Sequence, residues 1–355
     1  MTIQDLGYND YFEKLRIDNN LEDFEIGRVI AEHKGRYIVK NEKGEFEAEI
    51  TGNLRFSAKS RKDFPAVGDW VSLINYESDF VVIHSILPRL STLSRQAVNK
   101  FGELQIIASN IDYGLVLQSV NRDFNINRLE RYLTLCYTSK IEPIIVITKT
   151  DLMDEQNLNN LLNKIKIRVK NIQLVHVSNE TKQGIDVLKK LLYKGKTYCL
   201  LGSSGVGKSS LINSLIGENR MKTATISKSI DRGKHVTTHR ELISMVHGAI
   251  LIDNPGMREV RITDSSDGLE STFEKIYDLT QNCRFSDCTH ISESDCAVQL
   301  AIENGQIEKS YFENYLKMER EKEHFESTVV EKRKKDKDFG KMIKHYKKTR
   351  KSNKY

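Results

Sequence analysis

The residues with the clearest capacity for chemistry form one glycine-rich loop in the second half of the chain. Gly202, four further residues, Gly207, Lys208 and Ser209 match a phosphate-binding pattern between a short apolar strand and a helix. Glycines let backbone N–H groups close around phosphate oxygens, and the helix points its positive end at them. We predict that Lys208 reaches the β- and γ-phosphates and that Ser209 ligates Mg²⁺. The nucleotide-binding residues predicted here are Gly202, Ser203, Ser204, Gly205, Val206, Gly207, Lys208, Ser209 and Ser210.

Polar residues that end two earlier strands could read the base of that nucleotide. Thr148, Lys149 and Asp151 close a predicted strand. A carboxylate at Asp151 can accept hydrogen bonds from N1 and N2 of guanine, a donor pair that adenine lacks, and so would select GTP over ATP. The Lys149 stem would lie along the base, and Ser178 ends the next strand, where it could cap the base. Thr148 and Asn179 stand where such motifs usually carry Asn and Ala.

A further set of residues, after the phosphate loop, could sense the terminal phosphate. Asp253 ends a predicted strand and can hold Mg²⁺ through water, and Gly256 can give its N–H to the γ-phosphate. The stretch 232–239 is polar and lacks periodicity, which predicts a mobile loop. A hydroxyl from Thr237 or Thr238 could complete the Mg²⁺ coordination only when γ-phosphate is present, which would make the loop a switch.

The hydrolytic water has no obvious orienting side chain. Met257 occupies the position where many GTPases carry a water-orienting glutamine, and a thioether cannot take that role. His235 or His239 could position the water, or both could be solvated loop residues. The sequence therefore predicts slow GTP hydrolysis by the chain alone, with acceleration when a partner orders the loop.

These motifs occur in an unusual order. The base-reading residues precede the phosphate loop, whereas small GTPases have them after it. Residues 193–196 would join the usual carboxyl terminus to the usual amino terminus, which is tolerated because termini often lie close together. Gly256 then falls at the end of the nucleotide domain, so the segment that follows is attached directly to the switch.

Four metal-ligating residues lie in that following segment. Cys283, Cys288, His290 and Cys296 have the spacing Cys-x4-Cys-x-His-x5-Cys, which can close a tetrahedral zinc site with no open position. Such zinc would be structural, because a short segment with little core depends on its metal to fold. The alternative is three buried cysteines beside an unrelated histidine; the tight spacing favours the metal site.

Composition and charge restrict the function classes. The 355 residues suffice for two or three domains, with ordinary hydrophobic (39%) and charged (29%) fractions. Without an apolar run of membrane length or a leader-like start, we expect a cytoplasmic protein with no membrane partner. Glu331–Tyr355 contains twelve Lys or Arg against three Asp or Glu, a net +9, so the rest carries −3 of the overall +6. Such a tail could bind nucleic acid or only aid solubility.

Short strand-like runs separated by turn signals characterise residues 24–88. They are 26–31, 36–40, 45–50, 69–74 and 80–86. Five short strands suit a small barrel, and the oligonucleotide-binding (OB) fold is the best interpretation. Some of its aromatic residues could stack on bases, although each one is individually more typical of a core: Phe24, Tyr37, Phe46, Phe56, Trp70 and Phe80. Residues 89–100 are polar and predict a linker.

Strands and helices alternate from about residue 104 to 254, which predicts a mainly parallel sheet covered on both faces. The predicted strands are 113–119, 141–148, 173–177 and 197–201, and the predicted helices are 126–139, 158–169 and 185–192. The runs 241–246 and 249–253 predict a hairpin on that sheet.

This combination resembles the RsgA (YjeQ) family of circularly permuted, small-subunit-dependent GTPases. The resemblance also includes Val67-Gly68-Asp69-Trp70-Val71, residues 125–133 and Thr237-Thr238-His239-Arg240. It implies a multidomain α/β protein with an OB-like RNA-binding barrel (1–90), a permuted P-loop GTPase domain (91–262) and a zinc-binding helical domain with a basic tail (263–355). It further implies GTP hydrolysis stimulated by the small ribosomal subunit, a late role in maturing that subunit, and rRNA contact by the barrel and zinc domains. We expect a monomer.

Two other functions are compatible with these motifs. One is an RNA-binding module that holds nucleotide but barely hydrolyses it, which phosphate release in the presence of ribosomes would reveal. The other is a permuted GTPase that acts on the large subunit, against which the zinc segment and the OB-like start argue.

Overall fold

The structure, a computed structural model, describes residues 1–33, 35–96, 104–121, 124–216, 241–245, 247–253 and 266–326. In these residues a β-barrel, a mostly parallel α/β sheet and a group of helices follow one another along the chain. Within the described ranges, no helix combines the length and the apolar composition that crossing a bilayer requires.

A closed five-stranded barrel forms the first part of the protein, as predicted. After helix α1 (Asp10–Asp18), its strands are β1 (Glu25–His33), β2 (Arg36–Lys40), β3 (Glu45–Ile50), β4 (Trp70–Asn75) and β5 (Phe80–Ile86). The strand order is β1-β2-β3-β5-β4, and β4 returns to pair with β1. Closure leaves no free sheet edge. Helix α2 (Gly52–Ser57) lies between β3 and β4 and has no buried residue.

The predicted linker over residues 89–100 is wrong for the residues described there. β6 (Thr92–Gln96) pairs antiparallel with β7 (Leu104–Ser109) in a two-stranded sheet. Leu93 is fully buried in the core of the next domain, and the Ser91 hydroxyl donates to the Ile111 carbonyl at 2.7 Å. Its polar residues Arg89 and Ser91 form hydrogen bonds at the junction between the two domains, which explains why the segment lacks the apolar pattern of a core strand.

The nucleotide-domain sheet confirms the predicted alternation of strands and helices. Its elements are β8 (Tyr113–Ser119), α3 (Ile126–Thr138), β9 (Glu142–Thr148), α4 (Glu155–Arg168), β10 (Gln173–His176), α5 (Ile185–Lys189), β11 (Thr197–Leu201), α6 (Lys208–Ile216), β12 (Glu241–Ser244) and β13 (Ile250–Asp253). Within the nucleotide domain the strand order is β10-β9-β8-β11-β13-β12, and only β12 runs antiparallel to the others; β12 also pairs with β1 of the barrel, so the two sheets are continuous. The carboxyl ends of the parallel strands therefore share one edge, where ligands bind in open α/β sheets.

A buried polar network fixes the barrel to the end of β7, the segment that leads into the nucleotide-domain sheet. The Asp69 carboxylate, fully buried, receives two hydrogen bonds from Arg89 at 2.6 and 2.7 Å and one from the Ser109 hydroxyl at 2.5 Å. Arg28, also buried, donates to the carbonyls of Leu6, Gly68 and Asn110 at 2.5, 3.2 and 3.1 Å. Gly68 has φ +97°, and a Cβ there would lie 2.2 Å from the Ser109 carbonyl oxygen. The backbone of the barrel and that of β7 thus meet with no room for a side chain.

Helices α7 (Ser266–Thr272), α8 (Glu274–Thr280), α9 (Ala297–Glu303) and α10 (Lys309–Glu326) form the third part around their own apolar core. Helix α7 packs so closely on α3 that a Cβ on Gly268 would stand 2.1 Å from the Thr138 hydroxyl oxygen. The buried Glu130 carboxylate accepts from Arg168 at 2.6 Å and from Asn314 at 2.6 Å, which ties α3, α4 and α10 together.

We predict that Asp69→Asn destabilises the protein by about 3–5 kcal/mol, because the substitution leaves Arg89 without its buried anion. The measurement is urea-induced unfolding monitored through Trp70 fluorescence. The matched control is Glu49→Gln, which removes an exposed ion pair with Arg36 of 3.5 Å and should change the free energy of unfolding by less than about 1 kcal/mol. Equal losses in the two variants would contradict a special role for the buried network.

Candidate nucleotide pocket and metal centre

The loop between β11 and α6 has the backbone that its glycines predict. Gly202, Gly205 and Gly207 have φ of +158°, +79° and +104°, and Gly205 and Gly207 lie in the left-handed region that L side chains rarely adopt. Gly202 also runs close to β8, since a Cβ there would lie 2.9 Å from the Leu117 carbonyl oxygen. Helix α6 starts at Lys208, so its free N–H groups point at the loop.

The Lys208 ammonium lies inside the loop. Its Nζ donates to the carbonyl oxygens of Gly202 and Ser203, each at 2.7 Å. An ammonium carries three donors, so it can exchange such carbonyls for phosphate oxygens without leaving its place. Ser209 and Ser210 follow it in the first turn of α6 and are half-buried.

The predicted base-reading residues at the end of β9 contact the same loop. The Thr148 hydroxyl, completely buried, donates to the Val206 carbonyl at 2.6 Å. Lys149 follows with a left-handed backbone (φ +59°), and its Nζ donates to the Gly205 carbonyl at 2.8 Å. Two hydrogen bonds therefore join the end of β9 to the phosphate loop.

Asp151 and Ser178 complete this end of the pocket. The Ser178 hydroxyl donates to Asp151 Oδ1 at 2.5 Å and accepts the backbone N–H groups of Glu180 and Thr181 at 3.2 and 3.1 Å. Ser178 is buried, whereas Asp151 is exposed. The serine thus orients a carboxylate that faces solvent, as a base-reading acid requires.

Several predicted residues fall outside the described part of the chain. These are His235, Thr237, Thr238, His239, Gly256, Met257 and the basic tail 331–355. The backbone of Asp253 ends β13, next to β11, but its side chain also lies outside the description. The phosphate-sensing and water-positioning roles therefore stay predictions.

The four predicted metal ligands converge on one point. Their ligand atoms, from Cys283, Cys288, His290 and Cys296, all lie within 4.8 Å of one another. His290 Nδ1 is 3.5 Å from the sulfurs of both Cys283 and Cys296, and those two sulfurs are 3.9 Å apart. Zn–S bonds of about 2.3 Å and Zn–N bonds of about 2.0 Å in a tetrahedron give ligand–ligand separations of roughly 3.5–3.8 Å. The donor set and its spacing therefore fit zinc.

Local structure and protonation support this cluster. His290 has a left-handed backbone (φ +61°), and the side-chain amide of Gln299 donates to its carbonyl. Burial lowers the pKa of His290, which favours the neutral, metal-binding imidazole. Desolvation, with a smaller effect of the neighbouring thiols, raises the pKa of Cys288 to about 11, so a metal must displace a proton there.

The strand order and the pocket define a class of protein. The phosphate loop on the central strand β11, with base-reading residues on strands that precede it in the chain, is the arrangement of a circularly permuted P-loop GTPase. The family profile described as RsgA GTPase matches residues 86–263. The chain belongs to the RsgA GTPase family, and it is a GTP hydrolase. A second profile, described as 50S ribosome-binding GTPase, matches residues 197–332 and so begins at β11.

Individual relatives and solved structures agree with this assignment. Small ribosomal subunit biogenesis GTPase RsgA 2 of Listeria monocytogenes is 41% identical over 322 residues, which is 90% of this chain and 89% of the relative. RsgA 1 of Bacteroides thetaiotaomicron, another small ribosomal subunit biogenesis GTPase, is 37% identical over 98% of this chain and 97% of its own length. YjeQ from Thermotoga maritima has a TM-score of 0.62 at 28% identity, over 82% of this chain and 96% of YjeQ. YloQ, a circularly permuted GTPase, shares the fold with a TM-score of 0.61 at 24% identity, over 86% and 97% of the two chains.

We predict that Cys283→Ser abolishes stoichiometric zinc binding and unfolds the helical part around α8 and α9, because three ligands hold the metal less well and the local core depends on it. Metal content after purification and hydrogen exchange of residues 274–303 are the measurements. Cys136→Ser, which alters a buried thiol of the nucleotide domain, should keep its zinc. A zinc-free wild-type protein with the same exchange rates would contradict the assignment.

Proposed function

We propose that this GTPase binds the small ribosomal subunit and acts in its late maturation as an assembly checkpoint, hydrolysing GTP to GDP and phosphate faster when bound. The observation that supports the proposal most directly is that two candidate RNA-binding parts, the barrel and the zinc-binding helical part, are both packed against the domain that carries the GTPase pocket. The barrel is fixed through Asp69 and Arg28, and the zinc part is fixed through α3 and α7. The small ribosomal subunit is proposed as the partner because the names of the relatives specify it.

The proposed nucleotide roles follow the pocket. Residues Gly202 to Ser210 hold the phosphates, with Lys208 on the β- and γ-phosphates in place of its two loop carbonyls. Asp151 accepts N1 and N2 of guanine, Ser178 orients it, and the stem of Lys149 lies along the base. Thr148 keeps the two ends of the pocket together.

Magnesium would be held by Ser209, by Thr237 or Thr238, and by Asp253, and would neutralise charge on the β- and γ-phosphates. The N–H of Gly256 would report the γ-phosphate to the segment that leads to the zinc part. In the reaction, water attacks the γ-phosphorus and the bond to the β-phosphate oxygen breaks. Because Met257 cannot orient that water, His235 or His239 takes this role once the subunit orders the switch loop.

The zinc ion is structural in this proposal, and the remaining assignments concern the whole molecule. The protein would be a cytoplasmic monomer with domains at residues 1–90, 91–262 and 263–355. Its basic tail, 331–355, would add sequence-independent attraction to rRNA phosphates.

The barrel offers one aromatic side chain suited to stacking on an rRNA base. Among the predicted candidates, Tyr37 and Trp70 are buried in cores, whereas Phe56 on α2 is 92% exposed. The exposed cations Arg55, Lys59 and Lys62 lie beside it in sequence. An exposed aromatic ring among cations matches the requirements of an unpaired base and its phosphates.

Phe56→Ala should weaken binding to purified small subunits by about 1–3 kcal/mol, because one base loses its stacking surface. Filter binding at two salt concentrations measures the loss, which should be similar at both because stacking carries no charge. The control is Tyr76→Ala, which removes another exposed ring of the barrel that is flanked by the acidic residues Glu77 and Asp79. A loss of the same size from that variant would argue against a specific contact.

Subunit-dependent turnover is the central test of the proposed function. Phosphate release from GTP should rise by at least tenfold when small subunits are added, and ATP should not be hydrolysed, since adenine lacks the donors that Asp151 accepts. Large subunits form the parallel arm, because one family profile carries a large-subunit name. Equal rates with and without small subunits would refute the stimulation, and a larger effect of the large subunit would favour the alternative partner.

A further inference from the structure

Two residues of the proposed base-reading site depart from the usual types, and the structure places them together. The position of Thr148 usually carries Asn, and that of Asn179 usually carries Ala. The Asn179 amide nitrogen and the Thr148 hydroxyl oxygen lie 3.6 and 4.0 Å from the place that a Cβ on Gly207 would occupy. Both side chains therefore meet over the same glycine of the phosphate loop.

The Thr148 hydroxyl is fully used in this position. It is buried, it donates its one hydrogen to the Val206 carbonyl at 2.6 Å, and its other near neighbour is the Gln118 carbonyl at 3.4 Å. A hydroxyl has a single donor, whereas an asparagine amide has two. Thr148 thus ties β9 to the phosphate loop and has no hydrogen left for a base.

The Asn179 side chain, unlike that of Thr148, still has hydrogen-bonding capacity to offer a ligand. Its Oδ1 is buried, yet within the described residues it has no hydrogen-bond partner. Folded proteins leave few buried polar atoms unpaired, because the loss of hydration is not compensated. The other end of the amide, the donor Nδ2, lies beside Gly207 of the phosphate loop and carries two hydrogens that a ligand can accept.

Guanine supplies an acceptor where the amide lies. Around the edge of the base, N2 and N1 donate to the proposed partner Asp151, and the acceptors O6 and N7 follow in that order. N7 is the acceptor farthest from Asp151, and the Asn179 amide lies over Gly207, on the phosphate-loop side of Ser178 and Asp151.

We propose that the side-chain amide of Asn179 donates to N7 of guanine and so supplies the contact that Thr148 lacks. An asparagine at position 148 would both hold the phosphate loop and bind the base. In this protein the two roles are divided, since Thr148 holds the loop and Asn179 binds the base. The inference rests on the proposed base-reading role of Asp151, and it makes Asn179 a determinant of nucleotide affinity.

The test compares GDP with 7-deaza-GDP, which lacks the N7 acceptor, by titration calorimetry in the presence of Mg²⁺. The full-length wild-type protein should bind the 7-deaza analogue about tenfold more weakly, the effect of one lost hydrogen bond. Asn179→Ala should bind GDP about tenfold more weakly and no longer distinguish the two nucleotides. Alanine is the usual residue at this position, and an unchanged melting temperature would show that the variant folds.

A rescue separates a base contact from a purely structural effect. In the double variant Thr148→Asn with Asn179→Ala, the amide at position 148 should restore both the GDP affinity and the tenfold discrimination against 7-deaza-GDP. A tenfold ratio that persists in Asn179→Ala, with or without a loss of affinity for both nucleotides, would overturn the proposal, and so would wild-type protein that binds GDP and 7-deaza-GDP equally.

A separate variant tests the pocket on which the inference rests. Asp151→Asn should shift preference from GDP to xanthosine diphosphate, because an amide can donate to the extra carbonyl of xanthine. If this shift occurs while Asn179→Ala behaves as wild type, only the role of Asn179 fails. If it does not occur, the base-reading assignment itself fails.

Discussion

One buried hydrogen bond ties the base-reading end of this permuted nucleotide domain to its phosphate loop. The Thr148 hydroxyl comes from the part of the chain that precedes the phosphate loop, and the Val206 carbonyl belongs to that loop, 2.6 Å away. The bond is buried, so water does not compete for either group. Together with the bond from Lys149 to Gly205, it fixes the distance between the base end and the phosphate end of the pocket. A nucleotide has a fixed length, so every proposed contact depends on this spacing.

The rest of the molecule is attached around that pocket through buried polar networks as well as apolar packing. The barrel is attached by the buried charges of Asp69, Arg89 and Arg28, and the helical part is attached by Glu130, Arg168 and Asn314. Such networks specify one geometry, because breaking any member leaves a charge unpaired in a dry site. Each flanking part is therefore held in a defined orientation, which a protein needs if it is to contact separated sites on one large partner.

Much of this architecture could be predicted from residue patterns, and the exceptions have physical causes. The five barrel strands, the parallel strands and the phosphate loop follow from short-range periodicity and glycine spacing, and the structure confirms them. The linker predicted over residues 89–100 was wrong because β6 gains its stability from a partner strand and from junction contacts of Ser91 and Arg89, which no local pattern reveals. The sequence showed that Asn179 was unusual, but only the position of its amide beside Gly207 gives it a role.

The strand order has a consequence for how the protein is made. Synthesis delivers β8, β9 and β10 before β11, yet β11 is the neighbour of β8 in the finished sheet. At about 5–20 residues per second, β8 waits several seconds with one unpaired, apolar edge. That edge is a ready template for association with another nascent chain, so newly made molecules are prone to association until β11 pairs with β8. The nucleotide cannot shorten this period by binding early, because its phosphate loop follows β11 and is made only after it.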